Sequence, residues 1–187
     1  MILKIVTSNQ GKFKEFREVL SSVGIETEHC PVPYDEIQTA DLEEVVRNGI
    51  RELRKKGLEN FVIDDSGMFI DYLKGFPGVY SAYVQKTLGN DGILKLMDCV
   101  KNRNAEFRCC IGCSLNGKEI IVTGTCKGTI LFETRGTEGF GYDPIFSVDG
   151  KRSFAEIPSE EKNKVSHRGL ATELLLKELK KQGSFST

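Results

Sequence analysis

Two carboxylates stand side by side in 64-DDSG-67, directly after the apolar run Phe61-Val62-Ile63. Adjacent acids at the carboxyl end of a buried strand are costly unless something positive meets them. That edge is also where open α/β sheets bind ligands. A carboxylate there can hold Mg2+ through oxygen, or orient and deprotonate a water. The plainer alternative is a turn capped by Asp64 or Asp65. Glu36, in the loop 34-YDEIQ-38, is a second oxygen donor of the same kind, although a lone loop glutamate is usually only solvated.

Three further stretches supply the complementary groups. In 7-TSNQGK-12, a strand-to-helix turn would aim backbone N–H groups at an anion. Thr7, Ser8 and Asn9 add side-chain donors, Gln10 and Gly11 complete the turn, and Lys12 adds a full charge. The spacing is not that of a P-loop, so an ordinary capped turn fits equally well. In 159-SEEKNKVSHRG-169, Lys162, Lys164, His167 and Arg168 gather positive charge ahead of a helix that Ser166 can cap. A lone basic segment is more often a solvated face.

The stretch 139-GFGYDPIF-146 crowds Phe140, Tyr142 and Phe146 around two glycines and Asp143. It is either a loop that packs or a loop that reads something flat. On the second reading Phe140 stacks on a ring, Gly141 lets the backbone come close, and Asp143 accepts from a ring N–H. Tyr142 and Phe146 are expected to pack on either reading. Acids beside bases in one site are what a metal–polyphosphate ligand requires, the acids for the metal and the bases for phosphate oxygens.

These stretches need elements to position them. Ile2–Ser8 reads as a buried parallel strand, and Phe13, Phe16, Leu20 and Val23 as one face of a helix ended by Gly24. A second strand is expected over Ile25–Cys30. A helix follows from Asp41, with Asp41 and Glu44 resembling a capping box and Leu42, Val45, Val46, Ile50 and Leu53 as its apolar stripe. Residues 75–78 form a Gly/Pro loop and residues 91–101 look helical. From Ala105 to Ile130, two β-branched runs meet at Asn116-Gly117, a strong hairpin signal. The last helix, Ser166–Lys181, turns Leu170, Leu174, Leu175 and Leu179 inward. The pattern is one α/β domain over residues 1–187, with a long, bent mixed sheet flanked by helices and a hairpin-rich second lobe.

Composition narrows the classes of function. With 26 basic and 27 acidic residues among 187, the chain lacks the charge excess of a broad nucleic-acid surface. No apolar run reaches membrane-spanning length, and the short apolar start MILKIV does not read as a signal peptide, so the expected location is cytoplasmic. The six cysteines are irregularly spaced. Cys110-Ile-Gly-Cys113 is formally a C-x-x-C, but on a strand its thiols face opposite sides, which suits core packing better than metal or redox work.

Taken together, TSNQGKFKE at 7–15, YDEIQ at 34–38, DDSG with GFPGVYSA at 64–82, GFGYDPIF at 139–146 and FAEIPSEEKNKVSHRG at 154–169 resemble the inosine triphosphate pyrophosphatase family. The resemblance covers nearly the whole chain, in order. It implies a central nucleotide cleft between two lobes, a homodimer, and Mg2+-dependent hydrolysis of ITP, dITP and XTP to the monophosphate and pyrophosphate. Thr7 to Lys12 would contact the triphosphate, Glu36 and Asp65 would bind Mg2+, and Asp65 would also be the base, with Asp64 assisting. Ser66 would contact the nucleotide. Phe140 to Asp143, Lys162, His167 and Arg168 would hold base and phosphates. Arg47, Arg51 and Arg54 leave open which of them, if any, faces phosphate. A Maf-type pyrophosphatase acting on pyrimidine or modified nucleotides is the nearer alternative. A non-catalytic nucleotide-binding or thiol-metal module is the more distant one.

Overall fold

A computed structural model of the protein describes residues 2–181. The chain runs β1 (Ile2–Ile5), α1 (Gln10–Ser21), β2 (Glu26–His29), α2 (Leu42–Lys55), β3 (Phe61–Ile70) and β4 (Pro77–Gly78). It continues through α3 (Ser81–Thr87), α4 (Gly89–Leu96), β5 (Asn104–Leu115), β6 (Lys118–Ile130), β7 (Phe146–Ser147), α5 (Ser159–Val165) and α6 (His167–Lys181). Single 3-10 turns occupy Asp143–Ile145 and Phe154–Glu156.

The strands form one mixed sheet in the order β2-β1-β3-β5-β6-β7, with β4 on the edge of β3. β1 pairs in parallel with β2 and β3, whereas β3, β5, β6 and β7 pair antiparallel. The pairing of β3 with β5 is unbroken from Phe61 opposite Ser114 to Ile70 opposite Ala105. The hairpin at Asn116-Gly117 has the expected left-handed residues, at φ 49° and 77°.

Three apolar clusters explain the shape. One lies under α1 and α6 and includes Phe16, Val62, Ile111 and Leu175. A second, on the opposite face under α2, includes Val46, Ile50, Phe61 and Ile63. The third lies toward the far ends of β3, β5 and β6 and joins Met68, Ile70, Phe107, Phe146 and Phe154. The first half of β3 thus serves one lobe and its last residues the other. Residues 64–66 lie where the core changes hands.

That placement corrects the sequence reading of DDSG. It is neither a turn nor the end of a strand but the middle of the ten-residue β3. Strand alternation then sends neighbouring residues to opposite faces.

Other boundaries moved as well. β1 stops at Ile5, and α1 ends before Val23, which is exposed. Asp41 caps α2 through the Glu43 N–H, but Glu44 accepts from Thr39 instead of closing a capping box. The helix expected at 91–101 is α4, which starts earlier, at Gly89, whose φ of 66° suits glycine, and ends at Leu96; the separate α3 precedes it. Leu174 faces solvent, and α6 buries Ala171, Thr172, Leu175 and Leu179 instead.

The start of α6 lies directly on the sheet. A Cβ at Gly124 of β6 would sit 2.3 Å from the His167 carbonyl oxygen and 2.4 Å from the Ala171 nitrogen. The bare glycine is what lets His167 and Arg168 reach the middle of β3.

Candidate active site

A cleft of about 320 Å3 opens over the centre of β3. Asn9 and Lys12 line it from α1 and its cap, Asp65 and Ser66 from β3, and Phe140 to Asp143 from the loop before β7. Lys162, His167 and Arg168 line it from α5 and α6. The structure therefore gathers most of the residues singled out in the sequence.

The exceptions are Glu36, exposed in the loop after β2 and outside the cleft lining, and the turn before α1. Thr7 accepts the Asn9 N–H, Gln10 lies against His29, and Ser8 is exposed. The Asn9 carboxamide oxygen accepts from the Gly11 and Lys12 amides at 2.8 and 3.1 Å. Those amides are spent on the cap, so the turn's main offering to an anion is the Lys12 ammonium. Gly11 acts by absence: a Cβ there would come within 2.5 Å of the Phe140 ring.

The two aspartates have separate environments. Asp64 is buried and faces α6. Its Oδ2 meets Lys12 Nζ at 3.1 Å, Arg168 Nη2 at 3.3 Å and the Ser66 hydroxyl at 2.9 Å. Burial pushes this carboxyl up, but Lys12 and Arg168 outweigh it and hold it far below the usual range. Asp65 accepts only the Ser66 N–H, at 2.9 Å. Burial raises it to about 6, with Asp64 and Glu36 adding to the rise and Lys12 opposing it. One carboxylate is saturated with cations, while its neighbour is left able to take a proton.

Asp64 begins a buried chain of alternating charge. Arg168 passes from Asp64 to Glu15, Glu15 meets Lys162 Nζ at 2.7 Å, and Lys162 meets Asp143 Oδ2 at 2.7 Å. In Glu15, burial is outweighed by Arg168 and Lys162, and its carboxyl is held low. With Lys12 at the other end, three cations and three carboxylates balance. Lys162 and Arg168 also lie 5.0 and 5.7 Å from the Phe140 ring centre, within cation–π range.

Asp143 does not fill the role expected of it. It is buried, and its Oδ2 already accepts from Lys162 and from the Phe140 N–H at 2.8 Å. It holds the loop together and is not a free acceptor for a ligand N–H. Tyr142 and Phe146 are buried as expected, with the Tyr142 hydroxyl donating to the Ser81 carbonyl at 2.9 Å. His167 stacks on Phe107 with ring centres 4.6 Å apart, and its Nδ1 is buried without a partner. Burial, then Arg168 and Lys162, push its pKa well below the ordinary value, so the ring is neutral.

Residues 3–178 match the Ham1 family model. This chain belongs to the Ham1 family. It is 48% identical to the dITP/XTP pyrophosphatase of Pyrococcus horikoshii, over 96% of this chain and 97% of that protein. It is 49% identical to the same-named protein of Thermococcus kodakarensis, over 91% and 93% of the two chains. The Staphylococcus aureus Ham1 protein superposes with a TM-score of 0.83 at 28% identity, covering 97% of this chain and all of that one.

Against this Ham1 framework, two features went unread in the sequence. Glu15 lies outside the cleft lining, yet it orients Lys162 and Arg168 together. The available signal was its spacing: Lys12, Glu15, Phe16 and Val19 fall on one helical stripe, and an acid beside a buried phenylalanine needs a cation. Gln85 of α3 lines the cleft, but α3 was not anticipated as a helix. The open question of α2 resolves away from the site. Arg47 and Arg54 both pair with Glu119 of β6, and Arg51 donates to the Arg47 carbonyl. Cys110 and Cys113 belong to core clusters on opposite sides of the sheet, and burial raises their thiols to about 11 and 12.

Proposed function

We propose that the chain hydrolyses the non-standard purine nucleoside triphosphates ITP, dITP and XTP to the monophosphate and pyrophosphate. The observation that carries this is the split between Asp64, buried and neutralised by Lys12 and Arg168, and its neighbour Asp65, which lines the cleft and is left to titrate near 6. A base poised close to working pH, beside fixed cations, suits attack of water on a phosphate. The names carried by the archaeal relatives agree with it.

In this reading a water attacks the α-phosphorus and gives its proton to Asp65. The new bond forms between water oxygen and phosphorus. The bond to the α–β bridging oxygen breaks, and its electrons leave with pyrophosphate. Lys12 faces the phosphate charge as it shifts toward the leaving group.

The donors present fit Mg2+. Asp65 and the exposed loop residue Glu36 offer hard carboxylate oxygens, and the raised Asp65 marks a spot short of positive charge. Among the described residues no group of three or more His, Cys, Asp and Glu side chains forms a metal cluster. Two carboxylates completed by waters and phosphate oxygens are the usual Mg2+ arrangement. Bound there, the ion would neutralise phosphate charge.

Base selection falls to Phe140 and His167. Phe140 offers its half-buried ring for stacking. Arg168 is occupied by Asp64, Glu15 and Ser66, which leaves the neutral His167 to donate to a 6-keto oxygen. Adenine presents an amino group there, and leaving such a donor unpaired discriminates by on the order of 10⁴-fold.

We read the active form as a cytoplasmic homodimer. Tyr83 and Phe132, 69% and 82% exposed, are apolar surface that a second copy would cover. No described helix is long and apolar enough to cross a membrane. A nucleotide panel with pyrophosphate detection tests the reaction. The expected result is Mg2+-dependent release from ITP and XTP and little from ATP. Orthophosphate as product, or full activity in Asp65→Asn, would sink it.

A further inference from the structure

Two amide side chains converge on one backbone oxygen in the wall of the cleft. Gln85 Nε2, from α3, donates to the Gly141 carbonyl at 3.0 Å. Asn90 Nδ2, from α4, donates to the same oxygen at 3.2 Å. Gly141 holds a φ of 64° between Phe140 and Tyr142, a left-handed conformation that turns its carbonyl toward these helices.

The arrangement has a cost. Having spent their N–H groups on Gly141, both side chains keep their own oxygens, Gln85 Oε1 and Asn90 Oδ1, buried without a partner. A buried acceptor left unmade is a penalty that methionine or leucine in the same space would avoid. The rest of the loop is tied elsewhere. Asp143 binds the Phe140 N–H, and Tyr142 is anchored to Ser81. Among the described residues, these two amides alone hold the Gly141 carbonyl.

We infer that Gln85 and Asn90 are positioning residues, a paired grip on the Gly141 carbonyl that holds the Phe140 ring where a purine must stack. Neither amide belongs to the charged chain or meets Asp65. Their loss therefore weakens nucleotide binding and leaves the chemical step alone. Two donors on one acceptor also make the grip redundant: either amide keeps the carbonyl satisfied when the other is gone. The inference rests on the proposed reading of the cleft as a purine nucleotide site.

Gln85→Met and Asn90→Leu keep the volume of each side chain and remove its polar atoms. Each alone should raise KM for ITP about twofold, and the pair about twentyfold, because only the double variant leaves the carbonyl bare. Turnover should stay within about twofold of the parent, and the melting temperature should not fall, because two orphan acceptors are removed. Hydrogen exchange of the 139–143 amides should quicken roughly tenfold in the double variant and little in either single one.

Multiplicative KM effects, a fall in turnover at unchanged KM, or unaltered loop exchange would each overturn the grip. If the parent enzyme releases no pyrophosphate from any nucleotide, the functional reading fails. Loop exchange then still decides whether these amides hold the loop.

Discussion

Asp65 is the residue on which the proposed chemistry turns, and its environment predicts a pH dependence. Its carboxyl is held near 6 by burial and by Asp64 and Glu36. The base works ionised, so kcat/KM, which reports the free enzyme, should fall as pH drops through about 6. Burial, then Arg168 and Lys162, keep the His167 pKa well below its ordinary value of 6.5. Pyrophosphate release from ITP between pH 4.5 and 8.5 measures this. Mg2+ on Asp65 would pull the limb lower, so the deciding outcome is its origin: the same limb persisting in the residual activity of Asp65→Asn would remove Asp65 from the role of base. Asp64→Asn should behave differently. It strips Lys12 and Arg168 of their shared partner, so it should cost stability as well as rate.

At the scale of elements, α1 must hold α5 and α6 through Glu15. Glu15→Gln should destabilise the fold by about 3 kcal/mol, because it leaves Lys162 and Arg168 under-neutralised in the interior. Each cation keeps one carboxylate, Asp143 and Asp64 respectively, which places the effect at the low end of such losses. Urea unfolding checks it. The exposed pair Lys164–Glu160 is the control, and Glu160→Gln should change little.

This charged chain also marks the limit of what could be read in advance. Lys12, Asp64, Lys162 and Arg168 were visible as charged groups at helix starts and on a strand, because local pattern places them. That Asp64 and Asp65 part company could be seen only once DDSG was known to be mid-strand, and two acids followed by Ser66 and Gly67 look like a turn. Asp143 was legible as a loop carboxylate. Its capture by Lys162 of α5 was not, because that contact depends on how two distant elements pack. α3 hid for the same reason: its seven residues bury only Ser81 and Val84, too few to show a helical stripe.

For the whole molecule, the two aspartates pull stability in opposite directions with pH. Asp64 and Glu15 are held below their ordinary values of 3.8 and 4.5. Their contribution is therefore present above those values and is lost as pH falls past them. Asp65 is raised from 3.8 to about 6, so the fold binds its proton more tightly than the unfolded chain does. Its ionisation costs the fold on the order of 2 kcal/mol at neutral pH, allowing for partial exposure, and that cost disappears as pH falls from about 6 toward 4. His167, held well below its ordinary 6.5, works the other way, because the unfolded chain takes up its proton below that pH and the fold does not. The Asp65 contribution is therefore read as a difference: Asp65→Asn should melt roughly 5 °C above the parent at pH 7.5, the gap should close toward pH 4, and turnover should be abolished. Calorimetry of both proteins across this range decides it, and a gap that is absent at pH 7.5 or does not narrow on acidification would show that Asp65 does not carry this strain.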